Sequence, residues 1–227
     1  MKSTFIFLIL LIAGQFCKAQ ELAEINVRIK PVSFTIHSIV FTLTGIDFRI
    51  SSTGNIYPVN TNGKRKGWQD YNQDSSTDEY YDHFDGDEKA GKIKSINGVA
   101  IDYFDRFSNK TKIGKIKSIG NIAIDYYDNF DNEQKTGKIK SIGNISIDYY
   151  DTFDRDEKKG KMKSFGNYTI DYYDTFAGAE KKGKMSMFGP VNIEYYDRFN
   201  NESKIGRIKS VNGNTQDLYV TVIGNFY

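Results

Sequence analysis

Cysteine is almost missing. The chain has one in 227 residues, Cys17, and it lies in an apolar opening segment. The remainder therefore offers no disulfide and no thiol chemistry. Histidine is nearly as scarce, with His37 and His83 in unrelated contexts. No HExxH, CxxC, GxSxG or phosphate-binding glycine loop occurs. These absences argue against a zinc site, a thiol nucleophile or a nucleotide cradle, and no cofactor is expected. There are three prolines and one tryptophan, Trp68. After the opening segment no apolar run approaches the roughly 18 residues of a membrane-spanning helix, so no integral membrane span is expected.

The opening segment, MKSTFIFLILLIAGQFCKAQ, has a basic start at Lys2, an apolar run from Phe5 to Ala13 and a small residue at Ala19. It reads as a secretory signal peptide, residues 1–19, cut before Gln20. Export follows as an expectation, to the periplasm, the cell surface or the medium. Lys2 and Lys18 go with the leader, leaving 29 of the 31 basic residues against 29 acidic ones. A formally neutral chain lacks the cationic footprint that nucleic acid requires, so no nucleic-acid partner is expected.

What the sequence has is a repeat. Gly91, Gly114, Gly137, Gly160, Gly183 and Gly206 recur every 23 residues, each followed by Lys or Arg and then Ile or Met. Aromatic pairs keep the same step: Tyr80–Tyr81, Tyr103–Phe104, Tyr126–Tyr127, Tyr149–Tyr150, Tyr172–Tyr173 and Tyr195–Tyr196. Each pair leads through Asp to a Phe two positions on. Asp217-Leu218-Tyr219 fall on the same lattice and read as a decayed last copy. An unbroken period implies units that each contact their neighbours in one way.

Within the unit from Gly114, a short alternating stretch precedes Ile119-Gly120-Asn121, and a β-branched, aromatic run follows from Ile122 to Phe130. This predicts two antiparallel strands per unit. A three-residue turn, Ile119-Gly120-Asn121, would set Ser118 across from Ile122. It would gather Ile116, Ile122, Ile124, Tyr126 and Phe130 on one face and Lys115, Lys117, Ala123, Asp125 and Tyr127 on the other. Pro190 conflicts with that turn, because it stands where a left-handed residue is needed. A parallel solenoid would stack like acids about 4.8 Å apart; antiparallel pairs double that spacing and bring lysines between them.

The expected fold is all-β: antiparallel two-strand 23-residue tandem repeats forming a long curled or spiralling meander sheet. Residues 20–78 form an N-terminal β cap and polar loop that hides the first sheet edge, and residues 79–227 form the repeat region.

Two candidate sites emerge. The second aromatic of each pair, Tyr81, Phe104, Tyr127, Tyr150, Tyr173 and Tyr196, would form a row on the polar face, and Trp68 in the polar loop is a further candidate contact. Such a row can stack sugars or brace cross-strand neighbours. The acidic clusters Asp82, Asp85, Asp87, Glu88 and Asp151, Asp154, Asp156, Glu157 offer the hard oxygens that calcium takes. Paired carboxylates also suit hydrolysis, but acids in six near-copies fit scaffolding better than a single catalytic centre.

The recurring Tyr-Tyr-Asp followed by Gly-Lys, as in Tyr149-Tyr150-Asp151 to Gly160-Lys161-Met162, resembles the tyrosine–aspartate repeats of YD/RHS-type proteins. The resemblance covers Tyr80 to about Ile208 and implies a spiralling antiparallel shell. The chain is also similar to uncharacterised secreted β-repeat proteins of Bacteroidota, whose leaders often end in Ala-Gln, as at Ala19-Gln20. Neither resemblance brings a catalytic residue. The expected function is an exported, non-enzymatic scaffold or adhesive surface, with a glycan-binding module or a calcium-binding repeat protein as alternatives. The expected partner is a surface glycan or another exported protein.

Overall fold

A computed structural model of the chain describes residues 22–30, 36–43, 46–51, 55–59, 79–96, 98–199 and 202–223. The leader and Trp68 lie outside them. Among the described residues the regular structure is strand, apart from three-residue 3-10 turns such as His83–Asp85. No helix there is long and apolar enough to cross a membrane.

The first four strands are β1 (Leu22–Ile29), β2 (Ile36–Leu43), β3 (Ile46–Ser51) and β4 (Ile56–Val59). The repeats then supply β5 (Glu79–Tyr80), β6 (Ile93–Ile96), β7 (Val99–Tyr103), β8 (Ile116–Ile119), β9 (Ile122–Tyr126), β10 (Ile139–Ile142) and β11 (Ile145–Tyr149). They continue with β12 (Met162–Phe165), β13 (Tyr168–Tyr172), β14 (Met185–Phe188), β15 (Val191–Tyr195) and β16 (Ile208–Asn212), and β17 (Leu218–Val222) ends the series. Strands β5 to β16 form one antiparallel sheet of twelve in sequence order. The second sheet has the order β17-β1-β2-β3-β4, with β17 parallel to β1.

A long meander of two-strand repeats is thus present, but the curled or spiralling form is not. The twelve-stranded ladder is open, with β5 and β16 at opposite ends, and it hides its apolar face under the five-stranded sheet. Phe41 of β2 meets Phe165 of β12 edge to face, ring centroids 5.1 Å apart. One buried cluster takes side chains from both sheets. The N-terminal strands cover a face rather than an edge, and Leu218, although it keeps the repeat lattice, belongs to the covering sheet.

The hairpin register also differs from the expectation. Ile119 pairs with Ile122 and Ser118 with Ala123, so the turn is the two residues Gly120-Asn121. Gly120 takes φ +57°. A left-handed glycine followed by an ordinary residue is a type II′ turn, whose twist matches paired strands. The second position of that turn wants φ near −80°, which Pro190 supplies after Gly189. The proline conflict belonged to the wrong turn.

A two-residue turn should throw Ile116 to the opposite side from Ile119. A bulge prevents this. In β10, Ile139 pairs with Tyr126 and Ser141 with Asp125, so Lys140 is an extra residue in the ladder. The kink returns Ile139 to the face of Ile142, and both are fully buried while Lys140 is exposed. The same shift recurs at β8, β12 and β14. One bulge per copy lets the i, i+3 spacing of KIKSI point both apolar side chains inward.

Candidate functional site

Each copy of Tyr-Tyr-Asp-x-Phe sits where a long strand gives way to a loop. The first tyrosine faces the core: Tyr126, Tyr149, Tyr172 and Tyr195 are buried, and only the outermost, Tyr80, is exposed. The second aromatic leans across to the next copy. Tyr127 packs edge to face on Tyr149 at 6.1 Å, and the other pairs do the same at 5.8 to 6.1 Å.

Its hydroxyl is also committed. Tyr127 donates to the Ile147 carbonyl at 3.0 Å and lies 3.2 Å from Asp148 Oδ1, and Tyr150 repeats both contacts with Ile170 and Asp171. Tyr81 and Tyr173 donate to Ile101 and Ile193. Lys135 and Lys140 lie over the Tyr127 ring. The row drawn from the sequence is therefore a set of braces between copies, half-buried, with Tyr150 buried outright. Burial, then the neighbouring aspartate, pushes the Tyr127 and Tyr150 hydroxyls well above the usual tyrosine range.

Phe104 stands at a brace position without the hydroxyl, its ring 6.1 Å from Tyr126. Phe104→Tyr should reach the Ile124 carbonyl by the same geometry and stabilise the protein by about 0.5–1.5 kcal/mol. Thermal and urea unfolding read the gain. No gain would mean that the hydroxyl bridges at the other copies add nothing net.

Lysines bind the copies further. Lys112, Lys135 and Lys158 pair with Asp125, Asp148 and Asp171 of the following copy at 2.5 to 2.7 Å. Burial pushes the Asp148 carboxyl up, but Lys135, the Tyr149 amide and the Tyr127 hydroxyl outweigh it, so its pKa falls below the ordinary value. Lys138 donates to the Gly160 carbonyl at 2.5 Å, and equivalent lysines do so at every step from Lys92 to Lys184. The fixed glycine follows from its backbone: Gly91, Gly114, Gly137, Gly160, Gly183 and Gly206 take φ +71° to +77°, which disfavours a Cβ.

The acidic clusters are engaged in shaping the loops. Asp82 accepts from the Phe84 amide at 2.7 Å, Asp85 from the Asp82 amide, and Glu88 from the Arg106 amide of the next loop. Asp151 accepts from Phe153, Asp154 from Asp151, and Glu157 from Thr175, while Asp156 pairs with Lys159. Asp87 shares the first of these loops. Among the described residues no group of three or more His, Cys, Asp or Glu is placed to hold a metal ion.

No protein-family model, no curated protein and no solved structure matches the chain.

The site has one feature absent from the sequence expectations. Strand alternation predicts the final Phe of the motif on the apolar face. Instead Phe84, Phe107, Phe130, Phe153, Phe176 and Phe199 are 83 to 94% exposed. In all six copies the preceding Asp accepts a hydrogen bond from the Phe amide, at 2.7 to 3.1 Å. This Asx turn ends the strand alternation and points the ring outward. The loops that carry the rings are tied to one another. Asn109 donates to Asn129 and Asn132 to Thr152, each at 2.8 Å, and Arg155 pairs with Asp174. The signal was present in the sequence: Asp two residues before an aromatic is an Asx-turn signature as much as a strand ending.

Proposed function

We propose that the chain is an exported structural scaffold whose twelve-stranded sheet presents a line of phenylalanines along one rim as an adhesive surface. Export is supported by the leader-like residues 1–19. The observation that carries the adhesive role is the line itself: six large apolar side chains held in solvent at one backbone position. Scattered exposed apolar residues need no explanation, but a contiguous array marks an interaction surface. The scaffold role is supported by the uniform cross-links between copies, which leave the tyrosine hydroxyls and the strand aspartates occupied inside the protein.

The test is adhesion. Adsorption to methyl-terminated and hydroxyl-terminated monolayers is followed by mass-sensitive resonance for the wild type and for the triple variant Phe107→Ser, Phe130→Ser, Phe153→Ser. The wild type should coat the methyl surface, and the variant should lose at least about tenfold with its thermal unfolding unchanged, since exposed substitutions seldom move stability by more than ~0.5 kcal/mol. Equal adsorption by both proteins would sink the adhesive role. Turnover on a glycan and peptide panel, abolished by replacing one acidic residue, would sink the scaffold role.

A further inference from the structure

We infer that the partner of the phenylalanine line is a second copy of the same chain, the two lines interdigitating about a two-fold axis. The inference rests on reading the line as the adhesive surface, and adds what it adheres to.

The spacing argues first. Successive phenylalanines belong to loops two strands apart, so the line has a pitch of about 9.6 Å. A ring inserted midway between two others then lies about 4.8 Å from each along the line, within the 4.5–7 Å at which aromatic pairs attract. A second copy has the same pitch by construction, so the fit persists along the whole line. A partner of any other period drifts out of step.

The area argues next. Rings exposed by 83 to 94% have nearly their whole surface to give. Six buried aromatics cover about 1,000 Å² per copy, above the ~800 Å² per partner of a stable interface.

Charge then favours a copy over an anionic lipid surface. The loop from Asp82 is acidic, with Asp85, Asp87 and Glu88 against Lys89. The next, from Asp105, is basic through Arg106, Lys110 and Lys112. The third, from Asp128, is acidic again through Asp131 and Glu133, the fourth, from Asp151, keeps a small acidic excess, and the loops from Asp174 and Asp197 balance. The six together hold more acidic than basic residues, which opposes docking on an anionic lipid surface. The arrangement is isologous, so it closes at two.

Sedimentation velocity on the purified chain tests this, with the triple variant of Phe107, Phe130 and Phe153 to Ser alongside. The expected result is a reversible dimer for the wild type and a dissociation constant at least about 100-fold weaker for the variant, with far-UV and near-UV dichroism unchanged. A wild type that stays monomeric up to about 0.1 mM, far above the dissociation constants of standard-sized interfaces, overturns the inference. So does a variant that dimerises as well as the wild type. A third arm adds phosphatidylcholine vesicles. A monomeric wild type that floats with them through these phenylalanines overturns self-pairing while leaving the adhesive surface intact. A dimer that persists in the variant, together with unchanged adsorption to the methyl monolayer, removes both.

Discussion

Phe165→Ala should lower the unfolding free energy by about 3–5 kcal/mol, while Phe153→Ala, twelve residues earlier in the preceding copy, should change it by no more than ~0.5 kcal/mol. Phe165 has no exposed surface. Its ring touches Phe41 across the layer boundary at 5.1 Å and lies 6.5 Å from Phe188 in the next copy. The site cannot collapse easily around a lost ring. β12 is hydrogen-bonded to β11 on one side and β13 on the other, and the facing strand β2 is held by β1 and β3. The cavity therefore persists and adds to the lost transfer energy. Phe153 is 94% exposed and gives up almost nothing. Urea unfolding of both variants reads the contrast, with an unchanged slope confirming that the same surface unfolds. Equal costs would mean that the two sheets do not stack through β2 and β12.

Much of this was legible in the residues. The 23-residue step sets the strand pairs, and the inward set Ile122, Ile124 and Tyr126 follows from alternation. Cross-strand lysine–aspartate pairing follows from the charges at Lys117 and Asp102, but the shorter pairs come from the loop lysines Lys112, Lys135 and Lys158. Three features lie outside simple alternation. Ile116 and Ile119 are three apart, and alternation across a hairpin cannot put both inside. Only a bulge at Lys117 can, and the proline after Gly189 was the clue. The outward phenylalanines depart from strand parity because the Asx turn before each ring cancels it. The cover over the repeat sheet depends on Leu22–Ile29 meeting Leu218–Val222 from the far end of the chain. No local pattern distinguishes a sheet that curls to hide its apolar face from one that receives a lid.

That long-range meeting makes the last strand the most sensitive place to cut. Ending the chain after Thr215 should remove cooperative unfolding or leave a protein that aggregates. β17 contributes Leu218 and Val220 to the core, both buried. Burial of such side chains contributes about 1.5–3 kcal/mol each, so their loss alone approaches the 5–15 kcal/mol by which whole domains are stable. The cut also opens the edge of β1. The Ile25 amide loses its bond to the Asp217 carbonyl at 2.7 Å, and the Ile29 carbonyl loses the Ile223 amide at 3.0 Å. An eight-residue strand with an unpaired edge is a template for other chains. The hairpin tip at Gly189, where a Cβ would lie 3.3 Å from Leu218 Cδ2, is uncovered as well. A synthetic peptide of residues 214–223 should restore a sigmoidal urea transition, because it remakes the pairing with β1 and returns Leu218 and Val220 to the core. β1 and β17 are separated in sequence by fifteen strands, twelve of them in the repeat sheet, so this long-range parallel pair is expected to form late. A truncated chain that unfolds like the full one would show that the five-stranded sheet does not need its C-terminal strand, and that the repeats hold their apolar face by other means.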